Sequence, residues 1–201
     1  AIGAASGPVS VLIDNARIAL RERKYSAARQ WYQMALKRTQ GNHTEWTAIS
    51  REVTGWLRTN RQYNRSLQSL GFSAAMYAYA WSRTETPRAA ALTALAEALV
   101  QRRQYRQAIA AYRASLAVQE VTDTRLAFAQ LRREKGFRVT NHAIEADSST
   151  PRVCVDFSED LAKSGTNYED YVATEGTTNR ALTVSNSRIC VEGLKHGAQY
   201  K

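Results

Sequence analysis

Three tyrosines divide the first two thirds of the chain into similar stretches, and this repeat limits the possible folds more than any other feature. Tyr25, Tyr63 and Tyr105 each end a short basic or polar turn, RKY, RQY and RQY. Small residues recur nine positions before each tyrosine and three and ten positions after it, and a larger residue usually recurs seven positions after it. In that order the sets are Ala16, Thr54 and Ala96; Ala28, Ser66 and Ala108; Ala35, Ser73 and Ser115; and Tyr32, Leu70 and Tyr112. This spacing predicts antiparallel helix pairs, because small side chains let two helices approach closely while large ones fill between them.

The pattern resembles the tetratricopeptide repeat (TPR), a helical hairpin that stacks into a solenoid. The tyrosines lie 38 and 42 residues apart, against roughly 34 in that family, and the usual proline is absent. The resemblance implies a TPR-like domain over residues 1–136. Seven helices are predicted, at about 9–23, 26–38, 44–60, 62–82, 88–102, 106–118 and 122–135.

Capping signals support these helix positions. Asn42 or Thr44 is predicted to cap the third helix, and Pro87 to lie in the first turn of the fifth. Thr122 or Asp123 is predicted to cap the seventh helix, which would cover the exposed face of the last hairpin.

Residues 137–201 form a second predicted domain of different character. Alternating stretches such as PRVCVDFS and RICVEGL predict short β-strands. Only about four or five strands fit, whereas immunoglobulin-like sandwiches have about seven. Tyr200 follows a Gly-bounded turn, as in a tyrosine corner. We therefore expect an α+β chain whose second domain is a partial immunoglobulin-like sandwich, cut off before its last strands.

The chain contains two cysteines, Cys154 and Cys190, each in a predicted strand and flanked by Val or Ile. Each is expected to point to the sheet face opposite its β-branched neighbours. Two cysteines in one small β-domain suit a disulfide formed in an oxidising compartment, and two buried free thiols are the alternative. No metal-ligand spacing joins them to a histidine.

Positive charge is concentrated in the helical part. Residues 1–136 hold 21 Lys or Arg against 9 Asp or Glu, whereas residues 137–201 hold 7 against 9. In a TPR hairpin the first helix lines a concave groove. The positions that map to this groove are Arg17, Arg21, Arg51, Arg58, Glu97 and Gln101. Guanidinium groups there predict an acidic peptide or a carboxyl terminus as the ligand; a merely solubilising surface is the alternative.

The pI of about 9.9 also suggests nucleic acid or an anionic membrane surface as a partner. Nucleic acid is disfavoured, because no recognised binding motif occurs and the bases are scattered around the predicted helices. Proximity to a membrane surface stays open.

Three blocks in the last third, FRVTNHAIEADSSTPRVCVDFSEDL, NYEDYVA and ICVEGLKHGAQY, together resemble the first macroglobulin-like domain of the large bacterial α2-macroglobulins. Members of that family are extracytoplasmic traps for endopeptidases, and some are encoded beside a penicillin-binding protein. The resemblance implies that Cys154 and Cys190 are paired. It further implies a non-enzymatic N-terminal scaffold of a broad-spectrum protease inhibitor, located in the periplasm or cell envelope. The implied partners are the inhibitor's other domains, target proteases through the full-length protein, and a penicillin-binding protein.

The alternative function is a stand-alone periplasmic adaptor of TPR type that binds an acidic peptide or an envelope protein. We expect no enzymatic activity, because no Ser-His-Asp set, phosphate-binding loop or paired carboxylates stand out in the sequence. The sequence likewise indicates no cofactor and no metal site. If the sandwich is incomplete, its open edge is expected to be disordered or to exchange strands between copies.

Overall fold

The computed structural model describes residues 8–147, 149–176 and 180–200. The chain divides into two compact units, Ala1–Lys135 and Gly136–Lys201. The first is helical and the second is a β-sheet with its connections. The boundary predicted from the sequence lies one residue later, after residue 136.

The described part of the first unit contains seven α-helices. They are α1 Val9–Arg21, α2 Tyr25–Arg38, α3 His43–Thr59, α4 Arg65–Trp81, α5 Glu85–Gln101, α6 Tyr105–Val118 and α7 Thr122–Lys135. Asn42 caps α3 as predicted, since its side chain accepts hydrogen bonds from the backbone N–H groups of Thr44 and Glu45. The predicted cap of α7 is wrong, because Thr122 and Asp123 are already its first two residues.

The helices form three hairpins, α1 with α2, α3 with α4 and α5 with α6, and α7 packs on α6. In addition α5 packs on both helices of the second hairpin. Three successive hairpins followed by a further helix are a TPR-like arrangement. No helix in the described part of the chain combines the length and the apolar character needed to cross a membrane.

The first helix of every hairpin ends in the same way. Arg23, Arg61 and Arg103 follow α1, α3 and α5 with φ angles of 58°, 49° and 59°, a left-handed conformation that helix ends usually give to glycine. Seven positions before these arginines lie Ala16, Thr54 and Ala96, which are 0%, 3% and 0% exposed. The predicted small positions of the first helices are therefore confirmed.

The predicted role of Tyr63 is wrong. In the second hairpin α4 begins at Arg65, four residues after the left-handed arginine, whereas α2 and α6 begin two residues after theirs. Tyr63 consequently precedes its helix and is 66% exposed. Asn64 starts the helix instead, because its side chain accepts a hydrogen bond from the backbone N–H of Leu67 at 3.0 Å.

This shift also moves the close helix contact of the second hairpin. Ser66 and Ser73, the predicted small positions, are only half-buried. The contact forms at Gly71 instead, where an added Cβ would lie 2.9 Å from Cγ2 of Thr54. The Gly71 carbonyl also accepts a hydrogen bond of 2.8 Å from the hydroxyl of Ser50. A helix approach this close requires glycine on α4.

The described residues of the second unit form one antiparallel sheet of four strands. They are β1 Val139–Glu145, β2 Arg152–Phe157, β3 Ala181–Ser185 and β4 Arg188–Glu192, in the order β1-β2-β4-β3. The predicted sandwich stays a prediction, because these residues make a single layer. Tyr200 makes the backward bond typical of a tyrosine corner, since its hydroxyl accepts from the backbone N–H of Lys195 at 2.8 Å.

Cys154 and Cys190 lie directly opposite each other on β2 and β4 and form a disulfide, with Cα atoms 4.0 Å apart. The bridge therefore lies within one sheet, unlike the inter-sheet bridge of antibody domains. Its sheet face also carries ion pairs, among them Arg188 with Asp156 at 2.6 Å. The flanking valines and Ile189 lie on the other face, as predicted, because successive strand residues alternate.

Candidate functional site: a polar cleft among four helices

A polar cleft in the helical unit has a volume of about 430 Å³. It lies among α3, α5, α6 and α7, and Gly55 of α3 leaves room at its wall, since nothing lies within 4 Å of a Cβ added there. The volume falls in the range of pockets that bind small ligands or single side chains, about 300–1,000 Å³. The repeat explains its position, because α3 and α5 are the first helices of adjacent hairpins.

Charged side chains of both signs line this cleft. Arg51 and Arg58 come from α3, Glu97 from α5 and Asp123 from α7. Arg51 Nε lies 3.7 Å from Oε2 of Glu97, which makes an ion pair but not a hydrogen bond. The guanidinium group of Arg58, which is exposed, makes no ion pair or hydrogen bond within the described residues. The formal charges of the lining cancel, so the cleft is polar but not strongly basic.

Tyr112 of α6 contributes a phenol with no hydrogen-bond partner in the described chain. The residue is 5% exposed and lines the cleft. Its oxygen is not sealed in the core, because every fully enclosed side-chain oxygen or nitrogen of the described residues has a partner. The accessible part of Tyr112 therefore faces the cleft, where its hydroxyl can both donate and accept.

The electrostatics of the cleft depend on burial. Burial raises the pKa of Glu97, and the positive charges of Arg51 and Arg58 only partly offset this effect. Burial, together with the negative charge of Glu97, raises the pKa of Tyr112 to about 12, and the two arginines again oppose the shift. Tyr112 is thus a neutral phenol at physiological pH, and the carboxyl group of Glu97 ionises less readily than that of an exposed glutamate.

A chain of hydroxyl groups fixes the wall between α5, α6 and α7. Ser115 donates to the carbonyl of Ala89 at 2.8 Å, so its single hydrogen is used. Thr93 must then donate to Ser115 at 2.8 Å, and Thr124 to Thr93 at 3.2 Å. All three hydroxyl groups are buried. The bonds hold α7 in register and give the cleft a rigid wall.

Of the four arginines predicted to form one basic groove, two line this cleft and two do not. Arg51 and Arg58 line the cleft described above. Arg17 instead donates from Nε and Nη2 to both oxygens of Glu52, at 2.8 and 2.7 Å, and also pairs with Asp14. Arg21 lines a second cavity of about 320 Å³, beside Trp56. The guanidinium of Arg17 is therefore already occupied by carboxylates of the same chain.

The sequence did not identify Tyr112 as a site residue. Its position in the repeat, seven residues after Tyr105, indicated a large side chain that fills between helices. A tyrosine at such a position also carries a hydroxyl group, and a buried tyrosine hydroxyl usually has a hydrogen-bond partner. That need for a partner was the one signal in the sequence that could have identified Tyr112. Asp123 also lines the cleft, whereas the sequence predicts it only as a possible cap of α7.

No group of His, Cys, Asp and Glu that could hold a metal ion occurs in residues 8–147, 149–176 and 180–200.

No family model matches the chain, and no curated protein matches it either.

Solved structures give fold likenesses only. The chain is similar to the N-terminal domain of stress-induced protein-1 (STI-1) from C. elegans, at 12% identity and a TM-score of 0.44, over 62% of this chain and 94% of that one. It is also similar to the Arabidopsis OM64 TPR domain, at 16% identity and a TM-score of 0.42, over 63% of this chain and 95% of that one. The TPR-like description rests on the hairpins themselves.

Proposed function

We propose that the helical unit is a protein-interaction module that binds an extended segment of a partner protein in the cleft of α3, α5, α6 and α7. One observation carries the proposal: the side chains of the exposed Arg58 and of the more buried Glu97 and Tyr112 line one cavity and make no hydrogen bonds within the described chain. Polar groups held in a partly buried cavity without such bonds are suited to binding a ligand.

An acidic ligand, as predicted from the sequence, has partial support. Arg58 can donate a forked pair of hydrogen bonds to a carboxylate. Glu97 and Asp123 oppose such a ligand, because they add negative charge to the same cavity. The segment is therefore proposed to place its acidic residues, if it has them, at the mouth of the cleft near Arg58 and its polar uncharged residues inside.

The experiment is a selection of a random peptide library on the purified chain, followed by binding assays with the selected peptides. We expect the Arg51→Glu/Arg58→Glu variant to lose binding of those peptides. The matched control is Arg29→Glu/Arg113→Glu, which changes the net charge equally at two exposed positions on α2 and α6 and is expected to bind normally. Equal binding by both double variants would contradict the proposal.

The chain is proposed to act without enzymatic activity. The side chains of Arg58, Glu97 and Tyr112 make no hydrogen bonds to one another, and the hydroxyl groups of Thr93 and Thr124 bond to each other. No nucleophile in the described cleft is therefore hydrogen-bonded to a base. Hydrolysis of selected peptides by the purified chain, followed by mass spectrometry, checks this point. Cleavage that disappears in the Tyr112→Phe variant would contradict it.

The finer proposal places the chain at the N-terminus of an α2-macroglobulin-like inhibitor of the bacterial envelope, with the periplasmic adaptor as its alternative. The disulfide Cys154–Cys190 favours either one, since such bonds persist in oxidising compartments. If the chain belongs to such an inhibitor, its proposed partners are the other domains of the inhibitor, the target proteases and a penicillin-binding protein.

The reading frame of the source gene, compared with an intact mass of the native protein, separates these two views. A frame that continues into a bait region supports the inhibitor, and a frame that ends near residue 201 supports the adaptor. Alkylation of both cysteines in unreduced native protein would contradict the envelope location common to both.

A further inference from the structure

The cleft carries a chemical preference that goes beyond peptide binding in general. We infer that it binds the carboxamide side chain of a glutamine or asparagine in the partner segment. Tyr112 and Arg58 donate to the carboxamide oxygen, and Glu97 accepts from its nitrogen. This inference rests on the proposed function and names the side chain that the cleft selects.

The hydrogen-bonding capacities of the three groups lead to this class of ligand. Arg58 offers only donors, ionised Glu97 offers only acceptors, and the Tyr112 hydroxyl offers one donor. A ligand that satisfies all three must present an acceptor and a donor side by side. A carboxamide does so with its carbonyl and amino groups, whereas an aliphatic side chain leaves the Arg58 guanidinium and the Tyr112 hydroxyl without hydrogen bonds and Glu97 with only its ion pair to Arg51.

The charges of the cleft disfavour a charged ligand side chain of either sign inside it. A ligand carboxylate would gain Arg58 but lie in the same cavity as Glu97, a half-buried carboxylate whose own side chain is 29% exposed. A ligand ammonium would gain Glu97 but face Arg51 and Arg58. The lining carries two positive and two negative side chains, counting Asp123, so a neutral polar group disturbs this balance least.

In the first hairpin the tyrosine that corresponds to Tyr112 has an acceptor for its hydroxyl group. Tyr32 and Tyr112 each lie seven residues after the first residue of α2 and α6. The Tyr32 hydroxyl donates to Glu52 at 2.6 Å, and Glu52 also accepts from Arg17. At Tyr112 no acceptor of the described chain lies within hydrogen-bond distance, so an acceptor from a ligand can take that place beside Arg58.

The probes for the test are four capped amino acids, the N-acetyl N-methylamides of glutamine, glutamate, lysine and leucine. They share the same main-chain amides and differ only in the side chain. Each is titrated into the ¹⁵N-labelled full chain at neutral pH, and the amide signals of Gly55, Thr93 and Gln101 report on the cleft. We expect saturable shifts with the glutamine probe, and about tenfold weaker binding of the other three.

The Glu97→Gln variant gives a readout that a merely structural role of Glu97 does not produce. Removing that carboxylate is expected to strengthen binding of the glutamate probe about tenfold, and so to abolish the preference for the glutamine probe. Tyr112→Phe is expected to weaken the glutamine probe about tenfold. The spectra of both variants show whether the fold is kept.

The outcomes separate this inference from the proposed function. If the glutamate or leucine probe binds the unmodified chain as well as the glutamine probe does, the carboxamide inference fails while the cleft remains a ligand site. The same conclusion follows if Glu97→Gln leaves the ratio of glutamate to glutamine binding unchanged. If none of the four probes shifts the cleft signals, both proposals fail.

Discussion

The hydroxyl of Tyr32 donates a hydrogen bond of 2.6 Å to Oε1 of Glu52, and this bond joins the first hairpin to the second. Arg17 donates to the same carboxylate from α1, so three helices meet at one carboxyl group. Tyr32 is fully buried. The corresponding hydroxyl of Tyr112 in the third hairpin faces a cleft instead.

The same substitution at these two tyrosines is expected to have different effects on stability. Tyr32→Phe removes a hydrogen bond to a charged group and should lower the free energy of unfolding by about 1.5–3 kcal/mol. Tyr112→Phe removes no hydrogen bond to the described chain and should change that free energy by less than about 0.5 kcal/mol. Urea unfolding followed by tryptophan fluorescence measures both, since all four tryptophans lie in the helical unit. Equal losses would show that Tyr112 has an internal partner.

Glu52 and Glu97 are expected to give stability opposite dependences on pH. Burial alone would raise the pKa of Glu52, but hydrogen bonds from Arg17 and Tyr32 lower it below its ordinary value of 4.5. Its native state binds fewer protons than its unfolded state, so its contribution is present above that value and is lost as the pH falls. For Glu97 the pKa is raised, so its native state binds more protons and stability falls as the pH rises through the raised pKa.

The measurement compares the unmodified chain with Glu52→Gln and Glu97→Gln by urea unfolding between about pH 3 and pH 7. The stability lost in Glu52→Gln should grow as the pH rises. The free energy of unfolding of Glu97→Gln, relative to that of the unmodified chain, should increase as the pH rises over the same range. Parallel profiles for the two variants would contradict the assigned environments.

Two glycines of the second hairpin are expected to respond oppositely to alanine. Gly55→Ala should stabilise α3 by about 1 kcal/mol, because alanine favours helix and its Cβ meets nothing within 4 Å. Gly71→Ala should lower the free energy of unfolding by about 1–3 kcal/mol despite the same helix preference, because its Cβ would lie 2.9 Å from Cγ2 of Thr54.

A second variant identifies the cause at Gly71. Thr54→Ser removes the methyl group that meets the new Cβ and keeps the hydroxyl that donates to the Ser50 carbonyl at 2.9 Å. Gly71→Ala should therefore cost less in a Thr54→Ser background than in the unmodified chain, by about 1 kcal/mol. A cost that is the same in both backgrounds would exclude this contact as the cause.

The sequence predicted the helices well because their signals are local. Small residues at helical spacing placed Ala16 and Ala96 correctly, and Asn42 carried an evident capping signal. Tyr63 was misplaced because two extra residues follow the left-handed Arg61, and a three-letter match between RQY motifs does not reveal such an insertion. Asn64, followed by Arg-Ser-Leu, was the capping signal that could have corrected it.

The cleft was harder to predict because it depends on contacts distant in the sequence. The pairing of Arg17 with Glu52 spans 35 positions and links α1 to α3. Helical periodicity predicts only which face of α1 carries Arg17, and it cannot show that Glu52 accepts hydrogen bonds from the guanidinium group. The lack of a hydrogen-bond acceptor for Tyr112 within the described chain likewise depends on how α3, α5, α6 and α7 pack together.

The disulfide should stabilise the second unit substantially. It closes a loop with a sequence separation of 36, for which chain-entropy estimates give about 3–4 kcal/mol. Cys154→Ala/Cys190→Ala should therefore increase the hydrogen-exchange rates of the β2 and β4 amides. The ion pair between Arg188 and Asp156 joins the same two strands, so the variant should keep part of the contact between β2 and β4. Unchanged exchange rates would show that the strands do not depend on the bridge.

The most direct test of the cleft is to fill it. Gly55→Trp places an indole at the cleft wall, where a Cβ meets no atom within 4 Å, and Ala114→Trp adds the same group at an exposed position on α6. Calorimetric titration of a library-selected peptide then compares the two variants with the unmodified chain. We expect Gly55→Trp to weaken binding at least about tenfold and Ala114→Trp to leave it unchanged. Full affinity in a folded Gly55→Trp variant would contradict binding in this cleft.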